Sequence, residues 1–174
     1  HRFMLSVTGA ATILAICILS IHFPLLVRYD DAGYPDSYVL HTARRLLSTG
    51  TIYHTPGTDP LVPAVYGPAT YFTFAMALKL PALFAPWFWP RIFPILALLA
   101  SAFICADIAR ILHRNYWARG WGFLFALLLP PLASFYFQAR GDLFACFLSL
   151  AAVRLLLAGR AGTMLFAGVL AGLA

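Results

Sequence analysis

Between Met4 and Val27 the chain runs without a single aspartate, glutamate, lysine or arginine, until Arg28 closes the stretch. A hydrocarbon core of about 30 Å takes about 20 apolar residues in helix, and a helix in lipid satisfies its own backbone polar groups. Such a run constrains the fold more than any other feature. It also recurs: apolar stretches follow from about Ala64 to Phe84, Ile92 to Ile111, Trp121 to Phe137 and Leu143 to Ala158, and another starts near Thr163. Turn formers and arginines separate them. In Pro86-Trp87-Phe88-Trp89-Pro90-Arg91 two prolines break helix and two tryptophans suit a membrane interface.

Composition agrees with the runs. The chain is 62% hydrophobic and 10% charged, where soluble domains carry about a quarter charged residues. A water-soluble domain of 174 residues cannot cover that much apolar surface. The expected fold is therefore all-α, a polytopic transmembrane helical domain of about six spans over 1–174, with a polar first loop at about 28–63. Within that loop Val39, Ala43, Leu46 and Leu47 recur at helical spacing. Asp36 or Ser37 can cap the start, and Arg44 and Arg45 sit near the negative end of the helix dipole, before Gly50. This predicts a short amphipathic helix lying along the membrane surface. The opening run is too long for a signal-peptide core and reads as a retained span. Beginning at His1 and stopping inside an apolar run, the sequence reads as the N-terminal part of a longer protein.

The net charge of +6 comes almost wholly from arginine, since the one lysine is Lys79 and all six acidic residues are aspartates. The arginines punctuate apolar runs and form no stripe, so nucleic acid is not an expected partner. Membrane lipids are. Cys17, Cys105 and Cys146 all sit within apolar runs at no metal-ligand spacing. Positive-inside counting puts Arg28, Arg44 and Arg45 on the cytoplasmic side together with Arg110, Arg114 and Arg119.

Chemistry concentrates at span boundaries. Arg28-Tyr29-Asp30-Asp31-Ala32-Gly33-Tyr34-Pro35-Asp36 sets three carboxylates beside a hydrophobic run, where they repel one another and are poorly solvated. A solvated loop with a helix cap is the plain alternative to a general base or metal site. Asp30 and Asp31 are neighbours and point in different directions, but one carboxylate suffices to take a proton from an attacking hydroxyl. Arg140-Gly141-Asp142 marks a second boundary, as a functional pair or as a simple interface anchor. Asp107, three residues before Arg110, reads as a local helix pair. Arg44 and Arg45 suit either a phosphate or lipid head groups. Tyr66-Gly67-Pro68 opens a helix with proline in its first turn. His41, His54 and His113 read as surface residues. No phosphate-cradling glycine loop, paired His-Glu zinc helix or nucleophile elbow is present.

The order of these pieces resembles the C-type (GT-C) membrane glycosyltransferases, the polyprenyl- and dolichyl-phosphate-sugar transferases related to protein O-mannosyltransferases and lipid A sugar transferases. A first span is followed by an acidic pair, Asp30-Asp31. An aromatic-rich amphipathic helix comes next, Tyr38 to Gly50, with Ala43-Arg44-Arg45-Leu46-Leu47. Then come Thr51-Ile52-Tyr53, Val65-Tyr66-Gly67-Pro68-Ala69-Thr70-Tyr71 and finally Arg140-Gly141-Asp142-Leu143. Two departures are visible: Gly67-Pro68 stands where the family has a proline pair, and the family's acidic pair often ends in glutamate.

The resemblance implies a transferase that moves a sugar from a polyprenyl-phosphate donor to an acceptor hydroxyl or amine, with the first loop outside the cytoplasm. Asp31, or else Asp30, would be the general base, with Asp36 the third candidate. Arg44, Arg45 and Arg140 would steady the departing phosphate, and Asp142 and Tyr66 complete the substrate-binding set. No cofactor is expected, and a divalent metal stays open. The implied location is a multi-pass position in the bacterial inner membrane. A transporter or flippase, or a non-catalytic membrane subunit, is the competing reading. The implied sidedness conflicts with the positive-inside count unless one run between Ala64 and Phe137 does not cross fully.

Overall fold

The computed structural model describes residues 2–27, 34–53, 66–114, 116–128, 139, 141–159 and 161–173. Seven α-helices and no strand occur among them: α1 Arg2–His22, α2 Tyr34–Thr49, α3 Pro68–Leu78, α4 Phe88–His113, α5 Tyr116–Leu128, α6 Gly141–Leu156 and α7 Ala161–Leu173. The all-α expectation holds.

The count of spans does not. Among the described residues only α4, with 26 residues, is long and apolar enough to cross a membrane; the apolar stretches Thr8–Ile21 and Thr163–Leu173 are shorter. α1 has 21 residues and gives way to a 3₁₀ turn at Phe23–Val27, where Pro24 has no N–H to continue the ladder. α3 begins with Pro68 in its first turn and stops after 11 residues at Lys79, two residues before Pro81. At 1.5 Å per residue it reaches about 16 Å, half a hydrocarbon core. α5 is described from Tyr116 to Leu128, and the rest of the run expected to reach Phe137 lies outside the described residues. Hydropathy alone merges these pieces into longer runs.

The segment expected to separate two spans at residues 86–91 lies largely inside a helix. α4 starts at Phe88, so Pro90 falls in its first turn, where a missing N–H costs nothing. Trp87 is its N-cap, and Pro94 sits further in. The Trp89 indole N–H donates to the Pro81 carbonyl at 2.8 Å and fastens the preceding turn. At its other end α4 closes on Arg114 in the left-handed region, with φ 50°. The chain then reverses directly into α5. The two helices approach closely, since a Cβ on Gly122 would lie 2.9 Å from both the Ala109 Cβ and the Cys105 carbonyl oxygen.

α2 confirms the predicted amphipathic helix to within a residue at each end. Gly50, at φ +72°, ends it by donating its N–H to the Leu46 carbonyl at 3.0 Å. Its apolar face does not lie free, however. Tyr38, Val39, Leu40 and Ala43 are buried with Phe74 and Ala75 of α3, with Trp87 and with Ala139. A second cluster joins Leu26, Leu98, Ala102, Ala126, Leu127 and Leu143 along the middle of α4.

The direction of the helices follows from three contacts. Trp87, at the start of α4, shares a cluster with Ala139, just before α6. Asp142, in the first turn of α6, meets Tyr66, while Arg154 near its end meets Asp107 near the end of α4. Helices α4 and α6 therefore run parallel, and α5 returns along α4 and packs against α1. Tyr66 precedes α3 and Trp87 follows it, and both belong to the α2 cluster. α3 therefore leaves and rejoins the same end of the bundle. Large apolar side chains stay exposed on the outer faces, among them Phe72, Phe103, Phe125 and Leu165.

Candidate functional site

Three distant stretches of sequence converge at the start of α4 and α6. Tyr66 donates its hydroxyl proton to Asp142 Oδ2 at 3.0 Å across 76 residues of sequence. Its backbone N–H reaches the hydroxyl of fully buried Tyr71 at 3.3 Å, and the two rings sit 6.3 Å apart. Asp142 lies in the first turn of α6, where unpaired N–H groups and the helix dipole favour a carboxylate. Gly141 is part of the same fit: a Cβ there would lie 2.5 Å from Tyr66 Cγ. Only glycine lets the Tyr66 ring rest on the helix backbone.

α2 brings two arginines to this end. The Arg44 guanidinium stacks over the Trp87 indole, 4.1 Å from the ring centroid, a contact worth about 0.5–1 kcal/mol at an exposed site. Stacking occupies the face of the guanidinium and leaves the in-plane N–H edges for an oxyanion. Arg45 turns the other way. Its Nη2 donates to the Tyr53 carbonyl at 3.4 Å and ties the chain after Gly50 back to the helix. Thr42 fills the buried side with its hydroxyl on the Tyr38 carbonyl. One helical turn beyond Trp87, Arg91 is fully buried in the first turn of α4.

Of the residues singled out in the sequence, Tyr66, Asp142, Arg44 and Arg45 thus belong to one end of the bundle. Asp36 falls in the first turn of α2. Asp30, Asp31 and Arg140 lie outside the described residues, as does His54. His41 and His113 are exposed. Among the described residues no group of three His, Cys, Asp or Glu side chains could hold a metal ion.

The sequence reading missed Trp87 as the partner of Arg44, Tyr71 beneath Tyr66, and the burial of Arg91. An arginine within an apolar helix was the available signal for the last, because a charge there is kept for a reason. It also missed half of the opposite cluster. Asp107 pairs with Arg110 at 3.4 Å, as its spacing predicts, and in addition accepts from Arg154 Nε at 2.5 Å across 47 residues of sequence. Comparison with protein-family models, with curated proteins and with solved structures returned no match.

Proposed function

We propose that this chain is the membrane-embedded catalytic part of a glycosyltransferase that moves a sugar from a polyprenyl-phosphate donor to an acceptor hydroxyl or amine. The observation that carries the reading is the convergence just described. The described parts of the stretches that resemble the GT-C transferases, at residues 38–50, 66–71 and 141–143, come from separate parts of the chain yet meet at one end of α4, joined by the Tyr66–Asp142 hydrogen bond. The resemblance rests on sequence order and carries no requirement that these pieces touch.

The chemistry is a substitution at the anomeric carbon. Asp31, or else Asp30, takes the proton of the acceptor; the acceptor atom forms its bond from the face opposite the phosphate; the carbon–oxygen bond breaks, and polyprenyl phosphate leaves with the electron pair. One positioned carboxylate supplies the base. The growing negative charge on the departing phosphate calls for preorganised cations. Arg44 suits that role, being exposed with its N–H edges open. Arg140 is the second candidate, and Arg45 contributes by holding the loop after α2. Tyr66 and Asp142 form a polar ledge for sugar hydroxyls. A membrane enzyme is required because the donor's tail is dissolved in lipid. α4 serves as the crossing helix, and the exposed Ile, Leu and Phe side chains of the shorter helices are solvated by acyl chains around it.

The test is transfer of radiolabelled sugar from a polyprenyl-phosphate donor in isolated membranes. Asp31→Asn or Asp30→Asn should cut the rate by about 100-fold or more, the usual scale for losing a general base, with expression and membrane insertion unchanged. Full transfer by Asp30→Asn, Asp31→Asn and Asp36→Asn alike would end the assignment.

A further inference from the structure

The end of the bundle remote from Tyr66 and Asp142 has no role in the proposed transfer, yet it is where arginine gathers. Arg110, at the end of α4, Arg114, its C-cap, Arg119 on α5 and Arg154 on α6 lie there. Asp107 pairs with two of them, Arg110 and Arg154, and its charge also reaches Arg119. Arg114 and Arg119 are exposed and have no ion-pair partner among the described residues.

Beside them opens a cleft of about 360 Å³ between α4 and α5, lined by Phe103, Ala106, Tyr116, Arg119, Gly120 and Phe123. Its character changes along its length. The Phe103 and Phe123 rings, 5.0 Å apart, form an apolar wall. Gly120, three residues before Phe123 on the same face of α5, leaves open space, with nothing within 4 Å of where a Cβ would stand. Arg119 and Tyr116 line it near the α4–α5 reversal, and Arg114, the α4 C-cap, precedes Tyr116 by two residues without itself lining the cleft. A cationic mouth above an apolar slot matches one chemistry: a head-group phosphate on the arginines and an acyl chain along the phenylalanines.

We propose that this cleft binds an anionic glycerophospholipid, held by Arg119 and Arg114 at its phosphate and by Phe103 and Phe123 along its chain. Charge complementarity selects the head group, since four arginines stand at this end against one aspartate among the described residues. The site rests on the membrane-embedded reading of the bundle and not on the transfer chemistry.

Native mass spectrometry of the purified full chain, released from mixed phosphatidylglycerol and phosphatidylcholine vesicles, tests it. Phosphatidylglycerol should be retained preferentially. Arg119→Gln and Arg114→Gln should each weaken that preference about fivefold, the worth of one cation near an anionic head group, while Lys79→Gln leaves it intact. Gly120→Leu keeps every charge and fills the slot, and it should abolish retention without loss of helix content, since leucine favours helix over glycine. Inorganic phosphate at millimolar concentration should not displace the lipid. Equal retention of both lipids, or undiminished preference in Gly120→Leu, would overturn the cleft assignment. Displacement by inorganic phosphate would overturn the acyl-chain half. Retention of neither lipid, with the protein stable in buffer without detergent, would overturn the membrane reading itself and leave the transferase test to be judged separately.

Discussion

Gly141→Ala should destabilise the protein, although the same change in most helices does the reverse. Glycine gives up more backbone entropy than alanine on entering a helix, so the substitution ordinarily gains about 0.5–1 kcal/mol. Gly141 does not have positive φ, so no backbone strain opposes the gain. The Tyr66 ring does. A Cβ at 2.5 Å from Cγ and 2.7 Å from both Cδ atoms overlaps the root of the ring, which cannot swing aside like the tip of a flexible chain. Ordinary carbon contacts lie at about 3.5–4.0 Å, so the ring must move by about 1 Å. Overpacking of this kind costs about 1–3 kcal/mol. The shift also breaks the 3.0 Å bond from Tyr66 to Asp142, worth about 0.5–1.5 kcal/mol net where water can replace it. With the helix gain deducted, the sum is a loss of about 0.5–4 kcal/mol.

The prediction becomes sharp in a cycle with Tyr66→Ala. Without the ring, Gly141→Ala meets no obstacle and should recover its usual gain of about 0.5–1 kcal/mol. The sign reverses between the two backgrounds, and the coupling energy is about 1.5–4.5 kcal/mol, the overpacking and hydrogen-bond costs together. Thermal unfolding in detergent, followed by intrinsic fluorescence, reads this as several degrees, at about 2–4 °C per kcal/mol. If Gly141→Ala costs the same with and without the Tyr66 ring, the close fit is not what requires glycine here, and the argument fails.

Two other outcomes follow from the opposite end. Asp107 and Arg154 are each about one-third exposed, between the weak surface pair and the costly buried one, so a double-mutant cycle of Asp107→Asn with Arg154→Gln should give a coupling of about 1 kcal/mol; a value near zero would mean that the two do not pair. Sided labelling should separate the ends. With Cys17, Cys105 and Cys146 replaced by alanine, a membrane-impermeant maleimide applied to intact cells should label Ser48→Cys and spare Tyr116→Cys until the membrane is opened. Both positions are exposed, so equal behaviour would refute the arrangement of ends and not merely reflect burial.

Local rules carried the sequence reading a long way. Proline in a first turn, glycine after a last turn and a 3.6-residue apolar period located α2 to within a residue at each end and found the starts of α6 and α7 near Leu143 and Thr163. They failed where a decision depends on what lies on the other side of a turn. Hydropathy gives no distinction between a helix that crosses and one that packs on its neighbour, so α3 was lengthened past Lys79. Pro90 looks like a breaker in a string and becomes harmless in the first turn once Trp87 is the cap. Asp107 has an obvious partner three residues away; its second, Arg154, is visible only when α4 and α6 run parallel. The tolerance for glycine alone at position 141 belongs to the same class, because it is imposed by a ring 75 residues earlier in the chain.

The half-length of α3 also removes the conflict between charge and chemistry. If every apolar run crossed, the loop carrying Arg44 and Arg45 and the reversal carrying Arg110, Arg114 and Arg119 would share a side, and a first loop outside the cytoplasm would carry five of the described arginines outward with it. α3 departs from Tyr66 and its following turn rejoins the same cluster at Trp87, so it contributes no crossing. α4 then covers about 35 Å from Trp87 to Arg110, the thickness of a hydrocarbon core with a margin for tilt. The two groups of arginine fall on opposite ends of that one helix. The group at Arg110, Arg114 and Arg119 satisfies positive-inside orientation, and α2 with Arg44 is free to face the other way. Those first-loop arginines are not idle violators of the rule: one is stacked on Trp87 and the other is tied to Tyr53. A charge held in place by its own fold, at the end where the proposed transfer would release its phosphate, would have a reason to be there that orientation does not supply.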